Sequence, residues 1–451
     1  MANTRLITET IRGMEIVRGT TLTPDEYKEI DLSTLRDETD LDPEDENEIK
    51  ELEISLSLLE KQIKESTECF LTITNYQHTS MESLSENESA LLGNMLKRIH
   101  DTLEIKYSKE ERNILKDNIV FSVEGFFVGW KPNGNKNSQH QQTTFGKIID
   151  KIYLAIVSVI DIMYELLGRF YRWIKEAIQT NEKMTEKITT GVRYLNIHAK
   201  KDRFSTVFSK KEAAYFFLED KFDIEESLSI YTSLFGLYTN NTTLSKNVNK
   251  VLQYKINDNR YLDIEIDPIF PITKKENSSR KGLYDITGPT LPKGYVIKAT
   301  LPDNQEFQQM PVDEKTNILN LSDVYIEESK KPVLVKEDRT VEWDKPDLER
   351  INQVQVAFSR QCNSIIPYMD MLIGMSSRLR RHKRNLSYLM SSDFNPASMQ
   401  YLNANLVMIT YISRMVKEPF FSLNKMAQKT NRILLTKLLS FLQTEIKEAS
   451  K

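Results

Sequence analysis

Only two cysteines, Cys69 and Cys362, occur in the 451 residues, and they lie far apart. That excludes a disulfide framework and a cysteine-based zinc motif, and a reducing compartment at synthesis is the expectation. The five histidines, His78, His100, His140, His198 and His382, never stand at the i, i+4 spacing of a helical zinc site. Glycine is scarce, 14 residues, and scattered, so no phosphate-cradling loop and no Gly-x-Ser-x-Gly elbow can be built. The acidic run Asp37 to Glu48 lacks the central glycine of a calcium loop and reads as a solvated stretch. Cys362, in "FSRQCNS", falls in an expected helix and reads as a buried structural thiol rather than a nucleophile. No cofactor and no metal are expected, and nothing in these residues argues for an enzyme.

Long apolar runs are missing too. The most apolar segment, Ile148 to Phe170, is interrupted by Asp150, Lys151, Asp161, Glu165 and Arg169. Its longest uncharged stretch, Ile152 to Ile160, is too short to cross a bilayer. The start, "MANTRLITETIRGMEIVRG", has no apolar core of a secretory signal, so none is expected.

What the chain does have is charge, at 28% of residues, unevenly placed. Residues 1–124 carry 14 Lys+Arg against 28 Asp+Glu, whereas residues 125–451 carry 47 against 37. An acidic leader therefore precedes a basic body; a solvated leader with an incidental split of sign is the plain alternative. Residues 346–451 hold 15 Lys+Arg against 7 Asp+Glu. Their densest cluster, "RLRRHKR", offers Arg378, Arg380, Arg381, Lys383 and Arg384 as candidate nonspecific nucleic-acid contacts. A solvated helix face is the competing reading.

The expected fold is mainly α with a smaller antiparallel β-rich domain, an α+β chain with a long amphipathic helix after a flexible linker. Residues 1–124 form the leader, part helical and part disordered. Residues 125–145 form the linker, its "KPNGNKNSQHQQTT" (131–144) a loop by composition. Residues 146–245 form a helical region, 246–345 a β-rich domain containing proline, and 346–451 a basic C-terminal helical region. In the leader, Ile49, Leu52, Leu56, Leu59 and Ile63 recur at helical steps, predicting a helix over 46–74 with a thin core face. Further leader helices are expected over 89–105 and 109–116. From Phe145 through Ile148, Ile149, Ile152, Ile156, Val159, Met163, Leu167, Phe170, Ile174 and Ile178 the period stays near 3.6, predicting one long helix that needs a partner surface. Residues 210–238 read as two helices. Eight of the 14 prolines fall between Pro268 and Pro346, among short runs that read as strands: "VLQYKI", "RYLDIEI", "GYVIKATL", "VLVKE" and "RTVEW". Helices are expected again over 347–390, 396–416 and 419–447.

One short motif follows the charge boundary. Ser, Ala or Gly stands two residues before Glu at Gly13-Met14-Glu15, Ser66-Thr67-Glu68, Ser80-Met81-Glu82, Ser108-Lys109-Glu110 and Ser122-Val123-Glu124, and nowhere after residue 124. Glutamate enrichment of the leader explains part of that bias but not the complete absence afterwards.

The order "FSVEGFF", then "NGNKNSQHQQTT", then "FGKIIDKIYLAIVSVIDIMYELLGRFYRWIKEAIQTNEKMTEKI" resembles the internal head proteins of giant tailed bacteriophages related to phiKZ. The resemblance covers roughly residues 110–190. It implies a virion protein packaged inside the capsid as a precursor, with a prohead protease cutting after Ser/Ala/Gly-x-Glu. Carried onto this chain, Ser122, Val123 and Glu124 are cleavage-recognition residues and Gly125 the new N-terminus. Implied partners are the protease, other head or scaffold proteins and, nonspecifically, packaged DNA. The implied locations are the capsid interior and, during assembly, the host cytoplasm. Three alternatives stay open: an uncleaved tail or baseplate component, a host-takeover effector delivered with the DNA, and a cytoplasmic protein with no virion role.

Overall fold

The computed structural model describes residues 43–76, 86–103, 119–121, 127–130, 138–253, 262–328, 335–392 and 396–449. The chain is mainly α with small antiparallel sheets. Two helices come first, α1 (Pro43–Tyr76) and α2 (Glu86–Leu103), then a ribbon of β1 (Ile119–Phe121) and β2 (Phe127–Trp130). The long helix α3 (Ser138–His198) leads to β3 (Arg203–Phe208), the short α4 (Lys210–Ala213) and a hairpin of β4 (Phe217–Leu218) and β5 (Lys221–Phe222). Helices α5 (Ile224–Asn240) and α6 (Thr243–Gln253) follow. The β-rich part holds β6 (Lys274–Asn277), β7 (Tyr284–Leu291), β8 (Tyr295–Leu301), helices α7 (Asn304–Gln309) and α8 (Val312–Leu321), and β9 (Asp323–Glu328). Strand β10 (Arg339–Asp344) runs into α9 (Lys345–Ser392), and α10 (Pro396–Lys417) and α11 (Phe420–Ala449) complete the order.

Helix α3 is 61 residues long, about 90 Å at 1.5 Å per residue. Its stripe of Ile152, Ile156, Ile160, Met163, Leu167, Phe170, Ile174 and Ile178 is buried, as the period predicts. A second row, Tyr153, Val157, Tyr164 and Tyr171, is buried beside it. Two rows make a face broad enough for several partners, and α1, α9 and α11 all pack on it. Past Ile178 the buried stripe continues through Met184, Ile188, Val192 and Leu195, and polar pairs join it. Asn181 Nδ2 donates to Gln428 Oε1 at 2.9 Å, Gln355 Nε2 to Thr185 Oγ1 at 3.1 Å, and Thr189 Oγ1 to Asn352 Oδ1 at 3.0 Å. Paired amides and hydroxyls inside an apolar bundle are satisfied in one alignment only, so these contacts set the register of α3, α9 and α11.

The leader helix is not thin in core residues. Its stripe runs past Ile63 through Phe70 and Ile73, and Leu56, Ile63, Phe70 and Ile73 are at most 3% exposed. These side chains share one hydrophobic cluster with α3, α9, α10 and α11. Phe70 meets Tyr153 of α3 with ring centroids 6.3 Å apart. At the far end of the same contact Thr74 and Asn403 of α10 hydrogen-bond side chain to side chain while buried.

The main sheet is antiparallel in the order β6-β7-β8-β9. On β8, Ile297, Ala299 and Leu301 are buried while Lys298 and Thr300 are half-buried, the alternation of a sheet covered on one face. Gly288 sits at the register shift of β7, where a Cβ would lie 2.7 Å from the Phe270 ring, so the close approach requires glycine. Strand β10 does not join this sheet. It pairs with β3, Trp343 opposite Phe204 and Arg339 opposite Phe208, which ties the two ends of the middle region together.

Several local expectations need correction. The loop expected over 131–144 already holds the first turns of α3, from Ser138, and β2 stands within the expected linker. Val251–Gln253 of "VLQYKI" end α6 rather than forming a strand. Leu262 to Ile266 alternate correctly, with Leu262, Ile264 and Ile266 buried, yet pair with no strand among the described residues. Side-chain amides replace the missing partner: Glu265 N donates to Asn247 Oδ1, Asn247 Nδ2 to Glu265 O, Ile266 N to Asn304 Oδ1, and Gln308 Nε2 to Ile264 O. Residues 335–337 of "VLVKE" are not strand either. The first helix expected in 210–238 starts at a capping box of Ser209 and Glu212, but its α-helical part ends at Ala213; a 3-10 turn over Ala214–Phe216 follows, and the chain reverses between β4 and β5 through Glu219 at φ 54°.

Candidate functional site

Ser122, Val123, Glu124 and Gly125 lie outside the described residues, as do the tripeptides ending at Glu15, Glu82 and Glu110 and the helix expected over 109–116. The flanking strands are described: β1 and β2 pair antiparallel, with Phe121 opposite Phe127. The candidate scissile bond thus falls, along the chain, between two paired strands, one on each side of the leader–body boundary. Ser66-Thr67-Glu68 stands inside α1 with Ser66 and Thr67 at most 1% exposed. A protease needs an extended, accessible backbone, so this tripeptide is closed to cleavage in the folded chain.

The basic cluster lies near the C-terminal end of α9. Arg378 is half-buried, and its Nη1 donates to Asn249 Oδ1 of α6 at 3.0 Å. Arg381, three residues on, is exposed. Arg380, Lys383 and Arg384 lie on the same helix, with side chains outside the described residues. From Met371 to the end of α9 there is no carboxylate, and α6 has none either while carrying Lys250 and Lys246, the latter 3.9 Å from Glu265. Helices α6 and α9 pack together, so the positive field of this corner is shared by two elements.

Several other C-terminal cations are engaged within the fold. Arg414 is 4% exposed and caps α8, its guanidinium donating to the carbonyls of Leu319 at 3.0 Å, Asn320 at 3.2 Å and Ser322. Lys437 meets Glu212 at 2.9 Å. Arg432 Nη1 donates to Asn181 Oδ1 at 3.3 Å, and Lys429 lies 5.8 Å from the Tyr215 ring centroid.

Two lysines go to the leader. Lys417 pairs with Glu60, and Lys425 with Glu53 at 2.5 Å. Lys64 of α1 reaches Asp323 of β9 at 3.9 Å. Burial works against the Lys417 ammonium, but Glu60, Glu418 and Asp323 outweigh it and hold its pKa above the ordinary value. Beside it, Glu418 is pushed up to about 7 by burial, against the opposing pull of Lys417 and Ser422. Ser422 Oγ donates to Glu418 Oε1 at 2.9 Å, while Oε2 is closed off from solvent without a hydrogen-bond partner among the described residues. Leader and body therefore meet along a seam whose apolar floor is crossed by charge pairs.

This seam was missed in the sequence. Its signals were there: Phe70 and Ile73 continuing the leader stripe, and Glu53 and Glu60, two turns apart, answering Lys417 and Lys425, also two turns apart. Among the described residues no group of His, Cys, Asp or Glu could hold a metal ion, and no helix is long and apolar enough to cross a membrane. No family model, curated protein or solved structure matches the chain.

Proposed function

We propose that the chain is a non-enzymatic structural protein of a bacteriophage virion, made as a precursor and cut after Glu124 by a prohead protease. Its basic body would lie close to packaged DNA in the capsid interior, after assembly with head or scaffold proteins in the host cytoplasm. The observation that carries the reading is the charge-matched seam: carboxylates of the acidic leader cover lysines of the basic body, Glu60 on Lys417 and Glu53 on Lys425. An acidic segment that neutralises a basic body lowers its attraction to nucleic acid. The α9 cluster of Arg378, Arg380, Arg381, Lys383 and Arg384 supplies the proposed DNA-facing groups.

A second reading has an observation of its own. The burial of Leu56, Ile63, Phe70 and Ile73 makes α1 part of the core, which favours a particle component that keeps its leader, such as a tail or baseplate protein. Mass-spectrometric mapping of N-terminal peptides from purified particles separates the two. A semi-specific peptide beginning at Gly125 is expected. Continuous peptides across Glu124-Gly125, with no such terminus, would overturn cleavage and leave the second reading. Absence of the chain from purified particles would overturn both.

A further inference from the structure

We infer that the leader stays on the body after cleavage, so that the mature protein is two chains, 1–124 and 125–451, held without a covalent link. The inference rests on the reading that the chain is cut after Glu124. In that cut one water adds across the Glu124–Gly125 bond, leaving a carboxylate on Glu124 and an ammonium on Gly125.

Among the described residues the leader is held through α1, α2 and β1, and the contacts of α1 do not depend on the bond that is cut. Helix α1 lies across α3 and α10, with Phe70 against Tyr153 and Thr74 bonded to Asn403. Its direction is opposite to that of α10, because Thr74 meets Asn403 near one end and Glu60 meets Lys417 near the other. The contact thus spans the length of α10 rather than one turn. Helix α2, the second leader helix, packs on α1 and against β2, which belongs to the body. Strand β1, at the leader's end, pairs with β2, Ile119 opposite Trp130 and Val120 opposite Gly129, with a register shift before Phe121. Release would expose Leu56, Ile63, Phe70 and Ile73 and the α3 row beneath them to water at once, and would leave Thr74 and Asn403 without each other.

The consequence concerns charge. A leader that left would uncover Lys417 and Lys425 and turn the body strongly basic. A leader that stays keeps both lysines paired, and cleavage then changes connectivity rather than net charge. The apolar floor, not the ion pairs, does most of the holding, so retention should withstand salt.

The test uses the full chain with a site-specific protease sequence inserted between Glu124 and Gly125. After digestion, native mass spectrometry and size exclusion at about 0.15 M and about 1 M salt are expected to show one species containing both fragments. A leader that elutes alone in either buffer overturns retention. Hydrogen exchange on the uncut chain supplies a second readout should the inserted site resist digestion. Amides of Leu56 to Thr74 are expected to be as protected as those of Ile152 to Ile174, and fast exchange confined to the leader would overturn the inference. Particle peptides separate this inference from the one beneath it. A Gly125 terminus together with 1–124 peptides supports both; a Gly125 terminus without them keeps cleavage and sinks retention. No Gly125 terminus sinks cleavage, while the engineered cut still decides whether the leader holds.

Discussion

Glu418 is the residue whose charge the fold treats least kindly. Part of its surface reaches solvent, yet its carboxyl Oε2 is closed off beside Ser422, with Lys417 and Glu60 as the nearest charges. The folded chain holds the Glu418 proton up to about pH 7, whereas an unburied glutamate releases it near 4.5. Between those values the folded state binds more protons than the unfolded one. The group's contribution is therefore complete below that window and falls as pH rises through it, by about 3 kcal/mol. Glu418→Gln should remove the fall. Urea midpoints at about pH 5 and about pH 8 are expected to favour the variant more at the higher pH, and an equal offset at both would show a carboxyl that titrates as in water. Arg414 is the opposite case, a buried cation whose Nη atoms donate to three carbonyls at the end of α8. Arg414→Met is expected to cost about 3 kcal/mol, because it leaves the carbonyls of Leu319, Asn320 and Ser322 without their donor; equilibrium urea unfolding measures it. Neither residue stood out in the sequence. A lone Arg or Glu on an apolar helix looks the same whether it caps a distant helix or faces water, and only the fold brings its partner.

At the scale of elements, period is what the sequence declared best. The stripe of α3 and the helices over 347–390, 396–416 and 419–447 appear within a few residues of where apolar spacing put them. Strands fared worse for a specific reason. Alternation reports which side chains are buried, and at Leu262, Ile264 and Ile266 it did so correctly, but it cannot say whether a strand or the amides of Asn247, Asn304 and Gln308 will satisfy the backbone. The leader was under-read because its stripe is diluted by Ser66, Thr67 and Thr74, small polar residues that are nonetheless buried. Phe70→Ala tests that correction. A solvated tail would not register the change, whereas a core helix should lose about 3–5 kcal/mol in the main unfolding transition. Loss confined to a separate early step would show α1 unfolding by itself. Gly288→Ala is expected to cost about 1–3 kcal/mol, since the new Cβ meets the rigid Phe270 ring at 2.7 Å and Ile297 Cβ at 3.1 Å. The same urea series reads it.

For the whole molecule the sum of charges misleads and their placement informs. The sequence shows an acidic leader and a basic C-terminal region, from which a uniformly basic body facing polyanions would follow. In the structure Arg414, Lys417, Lys425 and Lys437 are engaged within the fold, while Arg381 near the end of α9 is exposed. Pairing across sequence distance is invisible to a running count, which is why these engaged cations looked like free ones in the sequence. If the body touches DNA, exposed Arg381 should carry more of the contact than Lys437, although both are single positive charges. Fluorescence anisotropy with a duplex of arbitrary sequence, followed over a salt series, can compare the two. Arg381→Glu is expected to weaken binding alike on unrelated sequences and to flatten the dependence of log affinity on log salt by about one contact or more. Lys437→Ala should leave both affinity and slope where they were, because its ammonium is held by Glu212 at 2.9 Å. The reverse order of effects would move the anion-facing surface from α9 to α11 and take the nucleic-acid reading of the α9 corner with it.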